Sequence, residues 1–100
     1  MKNIEYKVNA ELNISLVVEL YSILKWSSAA KPKQLKIALE NSDTVVTAWS
    51  GKKLVGIGNA ISDKSLVVYY PHLAVHPDFQ RQNIATSMFF KLINNWAISK

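Results

Sequence analysis

The chain contains no cysteine. That excludes a disulfide framework, a thiolate metal site and a cysteine nucleophile, and it suits a reducing compartment. Glycine and proline are scarce, with three of each in 100 residues, so the chain should fold and not stay disordered. No internal repeat or low-complexity tract occurs. No apolar run approaches the roughly 20 residues that cross a bilayer as a helix. The first residues, MKNIEYKVNAEL, mix charges of both signs and hold no apolar stretch of the kind a secretory leader needs, so a cytoplasmic protein is expected. His72 and His76 are the only histidines, with Asp78 close by. Two imidazoles four residues apart at a strand-to-loop corner make a poor metal site.

What is present is apolar residue, 49% of the chain. That is enough for one small folded domain over residues 1–100, with a modest core. Twelve basic and seven acidic residues leave a formal charge of +5, which favours anionic partners. The cations are scattered. The densest groups, Lys31, Lys33 and Lys36 and then Lys52 and Lys53, read as solvated faces. The aromatics lie on apolar stripes with few adjacent cations, so no stacking platform for nucleic acid is expected.

The hydrophobic period changes twice along the chain. Residues 3–8, NIEYKV, alternate as a half-buried strand. Asn13 then precedes an apolar stripe at 14, 17, 18, 21 and 24, which predicts a helix over 14–26 with Asn13 as N-cap. SSAAKP reads as a loop, and Pro32 suits the first turn of a second helix ending near Asn41. TVVTAW (44–49), LVGIGNAI (54–61) and LVVYYPHLAV (66–75) read as three strands joined by the turns SGKK and SDKS. They form an antiparallel meander that the N-terminal strand can extend. Pro71 interrupts the third of them, because proline has no N–H to give a ladder. HPDFQRQ is a loop, and a last helix spans about 84–99. The order is β-α-α-β-β-β-α, an α/β (α+β) arrangement with a mostly antiparallel sheet.

The most informative stretch is HPDFQRQNIATSMFF, residues 76–90, polar at first and then apolar at helical spacing. The first turn of a helix carries backbone N–H groups without intrahelical acceptors, at the positive end of the helix dipole. A diphosphate suits that arrangement, provided small residues let its oxygens reach the amides. With LAVHP before it and the order of elements around it, this stretch resembles the acetyl-CoA-binding motif of the GCN5-related N-acetyltransferases. The family's pattern is Gln or Arg, two residues, Gly, one residue, then Gly or Ala. Here it reads Gln80, Arg81, Gln82, Asn83, Ile84, Ala85, and Thr86 follows. The resemblance covers essentially the whole chain. It implies an acyltransferase fold in which residues 80–86 hold the pyrophosphate of acetyl-CoA. It also implies that Leu73, Ala74 and Val75 pair with the pantetheine arm as a neighbouring strand would, and supply a backbone N–H to the thioester oxyanion. A primary amine of a small molecule or peptide would then attack directly, with no metal required.

Two departures stand out. Asn83 occupies the position usual for glycine; asparagine enters left-handed conformations at tolerable cost, although its side chain can crowd the phosphates. The chain also stops after the last helix, whereas the family continues with further strands and a helix, so the domain is expected to be C-terminally incomplete. The exposed third strand then implies a homodimer or higher oligomer, with that edge or the aromatic side of the last helix at the interface. A catalytically silent CoA-binding or dimerisation module is the alternative reading. His72 could serve as a general base for the acceptor amine, or be a strand histidine facing solvent or a carbonyl. Tyr69 falls near the family's base position; it is a poor base near neutral pH and could shape the acceptor pocket or simply pack. His76 reads as structural and Asp78 as a loop cap. Trp26, Trp49 and Trp96 read as core or interface anchors, and Met88, Phe89, Leu92, Ile93 and Trp96 as the core stripe of the last helix.

Overall fold

The computed structural model describes residues 3–63 and 65–99, with side chains as far as Asn95. The Trp96 side chain, expected as an anchor, lies outside the described residues. Four strands, β1 (Glu5–Val8), β2 (Thr44–Ser50), β3 (Lys53–Ser62) and β4 (Val68–Val75), form one antiparallel sheet in the order β1-β2-β3-β4. Helices α1 (Ile14–Ile23) and α2 (Pro32–Glu40) cover one face, and α3 (Ile84–Ser99) covers the other. The expected order of elements is therefore observed, with short 3-10 turns at Ser27–Ala30 and Pro77–Phe79 inside the two expected loops.

The sheet separates two apolar layers. Val17, Leu20, Tyr21, Leu35 and Leu39 pack from α1 and α2 against Leu54, Ile57 and Ala74. Ile84, Met88 and Leu92 pack from α3 against Val46, Ala48, Val55, Ala60 and Val75. Met88 and Leu92 are completely buried, each contributing about 1.5–3 kcal/mol by leaving water. Phe89 and Ile93 are half-buried, so the stripe expected on α3 holds as far as the side chains are described. Leu20, absent from the stripe expected on α1, is also buried.

Three element ends differ from expectation by two residues or more: β1 begins at Glu5 and not at Asn3, with Val8 exposed, and the end of α1 and the start of β4 each shift for a local reason. Helix α1 starts as expected, with the Asn13 side chain accepting from the Ser15 amide at 2.9 Å. It ends at Ile23 and not at Trp26. Lys25 adopts a left-handed conformation, φ 61°, and the chain closes with Lys25 N–H donating to Ser22 O and Trp26 N–H to Tyr21 O. This is a Schellman motif built without glycine. Its usual apolar contact is made by Trp26 folding back on Tyr21, with ring centroids 4.9 Å apart. Strand β4 begins at Val68 and not at Leu66. The Asp63 carboxylate accepts the amides of Ser65, Leu66 and Val67 at 2.9, 2.9 and 3.0 Å, which removes them from any ladder.

Candidate functional site

The site begins at Pro71. Ile61 pairs with Tyr69 and Asn59 with His72, so two steps on β3 match three on β4. The extra residue is a bulge at Tyr70–Pro71, where the missing N–H makes it least costly. The bulge changes which face each later side chain meets. Val68 and Tyr70 pack on the α3 side, and Tyr70 sits edge-on to Phe89 at 5.0 Å. His72, two residues on, faces the opposite layer, where Tyr21 and Trp26 lie.

The His72 ring is tightly surrounded. Its Nδ1 lies 2.9 Å from the Tyr21 hydroxyl, and the ring is edge-on to Tyr21 and tilted against Trp26. Its backbone N–H donates to Asn59 Oδ1 at 3.1 Å. Asn59 is buried at 2% exposure and donates in turn to Ser42 Oγ just beyond α2. Burial lowers the His72 pKa from the ordinary histidine range and raises that of the Tyr21 phenol. Tyr69 lies nearby on β4 with 63% of its surface exposed.

Past the bulge, β4 is the edge of the sheet. His76 N–H donates to Val55 O on β3 at 2.8 Å. By strand alternation, Ala74 and His72 also direct their backbone groups at β3, whereas Leu73 and Val75 present theirs to the open edge. Ala74 is 1% exposed and packs beneath α1 and α2, so it supports the edge without forming it.

The chain then turns sharply into α3. The His76 ring, and not the Asp78 carboxylate, caps this turn: Nδ1 accepts the Asp78 amide at 3.1 Å. Gln80 Nε2 donates to Val75 O at 3.1 Å. Arg81 and Asn83 both have left-handed backbones, φ 65° and 63°. Two non-glycine residues in this region so close together concentrate strain, and such strain gathers at ligand clamps. Asn83 O accepts the Ser87 amide at 3.0 Å as the first helical bond, so the amides of Ile84, Ala85 and Thr86 precede the internal ladder of α3. A surface cavity of about 200 Å³ opens here, lined by Val75, Phe79 and every residue from Gln80 to Thr86 except Gln82.

Most of the residues expected to hold a cofactor thus converge on one cavity. Leu73 continues its edge along β4, while Ala74 and Gln82 lie outside the lining. The Gln80 side-chain amide is committed to Val75. Phe79 and Lys53 were not anticipated: Phe79 lines the cavity, and Lys53 Nζ stands 5.7 Å from its ring centroid. Among the described residues, no three His, Cys, Asp or Glu side chains are grouped to hold a metal ion, and no helix is long and apolar enough to cross a membrane.

Comparison with known proteins decides the family. The model of the acetyltransferase (GNAT) domain matches residues 15–99. The chain belongs to the GNAT family. An uncharacterized N-acetyltransferase, ycf52, of Pyropia yezoensis is 30% identical over 97 residues, covering 92% of this chain and 55% of the relative. The chain thus spans about half the length of that curated relative. Among solved structures, a GNAT-family acetyltransferase of Streptococcus pneumoniae superposes with a TM-score of 0.83 at 26% identity, over 95% of this chain and 69% of that one. The diaminobutyrate acetyltransferase of Paenibacillus lautus, solved with L-2,4-diaminobutyric acid and coenzyme A, shares the fold at a TM-score of 0.73 and 19% identity, over 94% of this chain and 58% of that one. In this GNAT chain Asn83 adopts the left-handed conformation expected where the family usually places glycine.

Proposed function

We propose that the chain binds acetyl-CoA at the junction of β4 and α3 and transfers the acetyl group to a primary amine of a small molecule or peptide. The observation that carries this reading is the cavity at the start of α3, where helix-start amides meet the exposed Arg81 side chain. Amides there suit the pyrophosphate, and the Arg81 guanidinium adds a charge-assisted donor. The edge groups of Leu73 and Val75 suit the amide-bearing pantetheine arm, which would lie beside β4 as an added strand.

In the proposed reaction, an outward N–H of Leu73 or Val75 polarises the thioester carbonyl and stabilises the oxyanion that forms on attack. The neutral amine nitrogen forms the new C–N bond and gives up one proton, the C–S bond breaks, and the sulfur leaves as a thiolate that takes up a proton. His72 and Tyr69 are the groups of this chain proposed to meet the acceptor, and a cytoplasmic setting suits the cysteine-free sequence. We further propose that a second copy covers the part of the β4 edge before the bulge, away from Leu73 and Val75, because Leu66, Val67 and Tyr69 are exposed there at 84, 59 and 63%. A monomer at high concentration by light scattering would remove that part.

The test of the activity is incubation with acetyl-CoA and a panel of primary amines, read by thiol release and product mass. An acetylated amine with matching release of CoA supports the reading. Binding of acetyl-CoA without turnover of any amine would leave a CoA-binding module and refute the transfer.

A further inference from the structure

We infer that Tyr21 is a positioning residue that holds His72 as the neutral tautomer protonated on Nε2, so that His72 meets the acceptor with an N–H to donate and not with a lone pair. Three observations lead there. The first is the Tyr21 hydroxyl. Tyr21 is fully buried, and His72 Nδ1 at 2.9 Å is its one hydrogen-bond partner among the described residues. A buried O–H without an acceptor forfeits its hydration with nothing in return. Burial also keeps the phenol protonated. The hydroxyl therefore donates to Nδ1, Nδ1 accepts, and the single proton of the neutral ring sits on Nε2. In the opposite tautomer Nδ1–H would point at Tyr21 and leave the phenolic hydrogen with no acceptor.

The second observation is where Nε2 lies. It has no hydrogen-bond partner among the described residues, yet no buried side-chain nitrogen or oxygen among them lacks one. Nε2 therefore reaches solvent. The third is that the ring is held from several sides. The Schellman turn at Lys25 brings Trp26 against both Tyr21 and His72. The bulge at Pro71 turns His72 toward them, and Asn59, tied through Ser42 to the end of α2, fixes the His72 backbone. These contacts make a ring flip that would exchange Nδ1 and Nε2 costly.

The consequence for chemistry rests on the acetyl-transfer reading; the tautomer does not. A ring already protonated on Nε2 cannot take the ammonium proton of the acceptor at that atom. The proton leaves to solvent instead. The Nε2–H then suits an acceptor that carries an oxygen near its amine, such as a carbonyl, carboxylate or hydroxyl.

The test is long-range proton–nitrogen correlation on the full chain labelled with 15N-histidine, at about pH 8, above the ordinary histidine pKa of about 6.5. His72 is expected to show a pyridine-type Nδ1 and a pyrrole-type Nε2. Tyr21→Phe should lose that bias at His72 alone. His76, whose Nδ1 accepts the Asp78 amide, should keep its pattern and so report an intact fold. An Nδ1-protonated His72 in the wild-type chain overturns the inference, and this spectrum decides it even if Tyr21→Phe fails to fold. An unchanged His72 in a folded Tyr21→Phe overturns it as well. Where turnover is found, His72→Gln, which places an amide N–H near the Nε2 position, should exceed His72→Ala by roughly tenfold in kcat/KM. Equal loss in both variants would contradict the donor role. No turnover with any amine would defeat the acetyl-transfer reading and leave the tautomer result standing.

Discussion

Substituting Gly58 tests how closely the site strand and α3 are fitted together. Gly58 lies on β3 opposite Leu73. A Cβ built there would stand 2.9 Å from Leu73 Cδ1, 3.2 Å from Leu92 Cδ1 and 3.5 Å from His72 O. The first two contacts are too short to keep. Leu73 is 37% exposed and can swing outward, but Leu92 is fully buried and has nowhere to move. Overpacking of this kind costs about 1–3 kcal/mol. The loss of unfolded-state freedom in Gly58→Ala returns about 0.4–1 kcal/mol. Because Leu73 can yield, the lower half of the first range applies, and the net destabilisation is about 1 kcal/mol. In a domain of this size that lowers Tm by about 4–8 °C. Urea unfolding should show a lower midpoint with an unchanged slope. In a Leu73→Ala background, which removes the nearest contact, the penalty of Gly58→Ala should shrink by about 0.5 kcal/mol or more. A Gly58→Ala chain as stable as wild type, or a penalty indifferent to Leu73, would refute the close fit between β3, β4 and α3.

Other perturbations address the loops. The Asp63 carboxylate is held below the ordinary carboxylate range by the amides of Val67, Ser65 and Leu66. The unfolded chain therefore takes up this proton first as pH falls. The contribution of Asp63 is complete above its unfolded value of about 3.9 and is lost as pH drops through the lower folded value. The Leu66 and Val67 amides should lose exchange protection in that window, and in Asp63→Asn the pH dependence should vanish; protection that persists unchanged in acid would count against the carboxylate cap. Asn83→Gly keeps the left-handed turn without a side chain over the cavity, so acetyl-CoA affinity should rise. An unchanged or weaker affinity would show that Asn83 does not crowd the phosphates.

Much of this architecture was legible because its causes are local. Alternation in NIEYKV, β-branched runs in the meander and the stripe on α3 each report on their own segment. The QRQNIA turn was readable for the same reason: helix-start amides and a tolerable left-handed asparagine are properties of a few adjacent residues. The misplaced ends are local too, but carry no conventional sign. Lys25 closes α1 in a conformation usually left to glycine, and the Asp63 cap takes the amides that would have begun β4. What remained hidden is nonlocal. Pro71 marked the bulge, but not the change of face that turns His72 toward Tyr21. Their hydrogen bond joins residues 51 apart, and Tyr21 looked like any other member of an apolar stripe. Asn59, a lone amide inside LVGIGNAI, was the one available sign that β3 serves a polar partner.

The central claim is that the turn before α3 holds the phosphates of acetyl-CoA. Calorimetric titration of acetyl-CoA into the wild-type chain and into Arg81→Ala tests it most directly. Arg81 bears a left-handed backbone with a Cβ, so alanine asks no more of that geometry and removes the side chain beyond Cβ, guanidinium included. A charge-assisted hydrogen bond is worth about 1.5–3 kcal/mol, so the account predicts binding by the wild-type chain that weakens by roughly tenfold or more in the variant. No binding at millimolar acetyl-CoA, or equal affinity in both proteins, would contradict it.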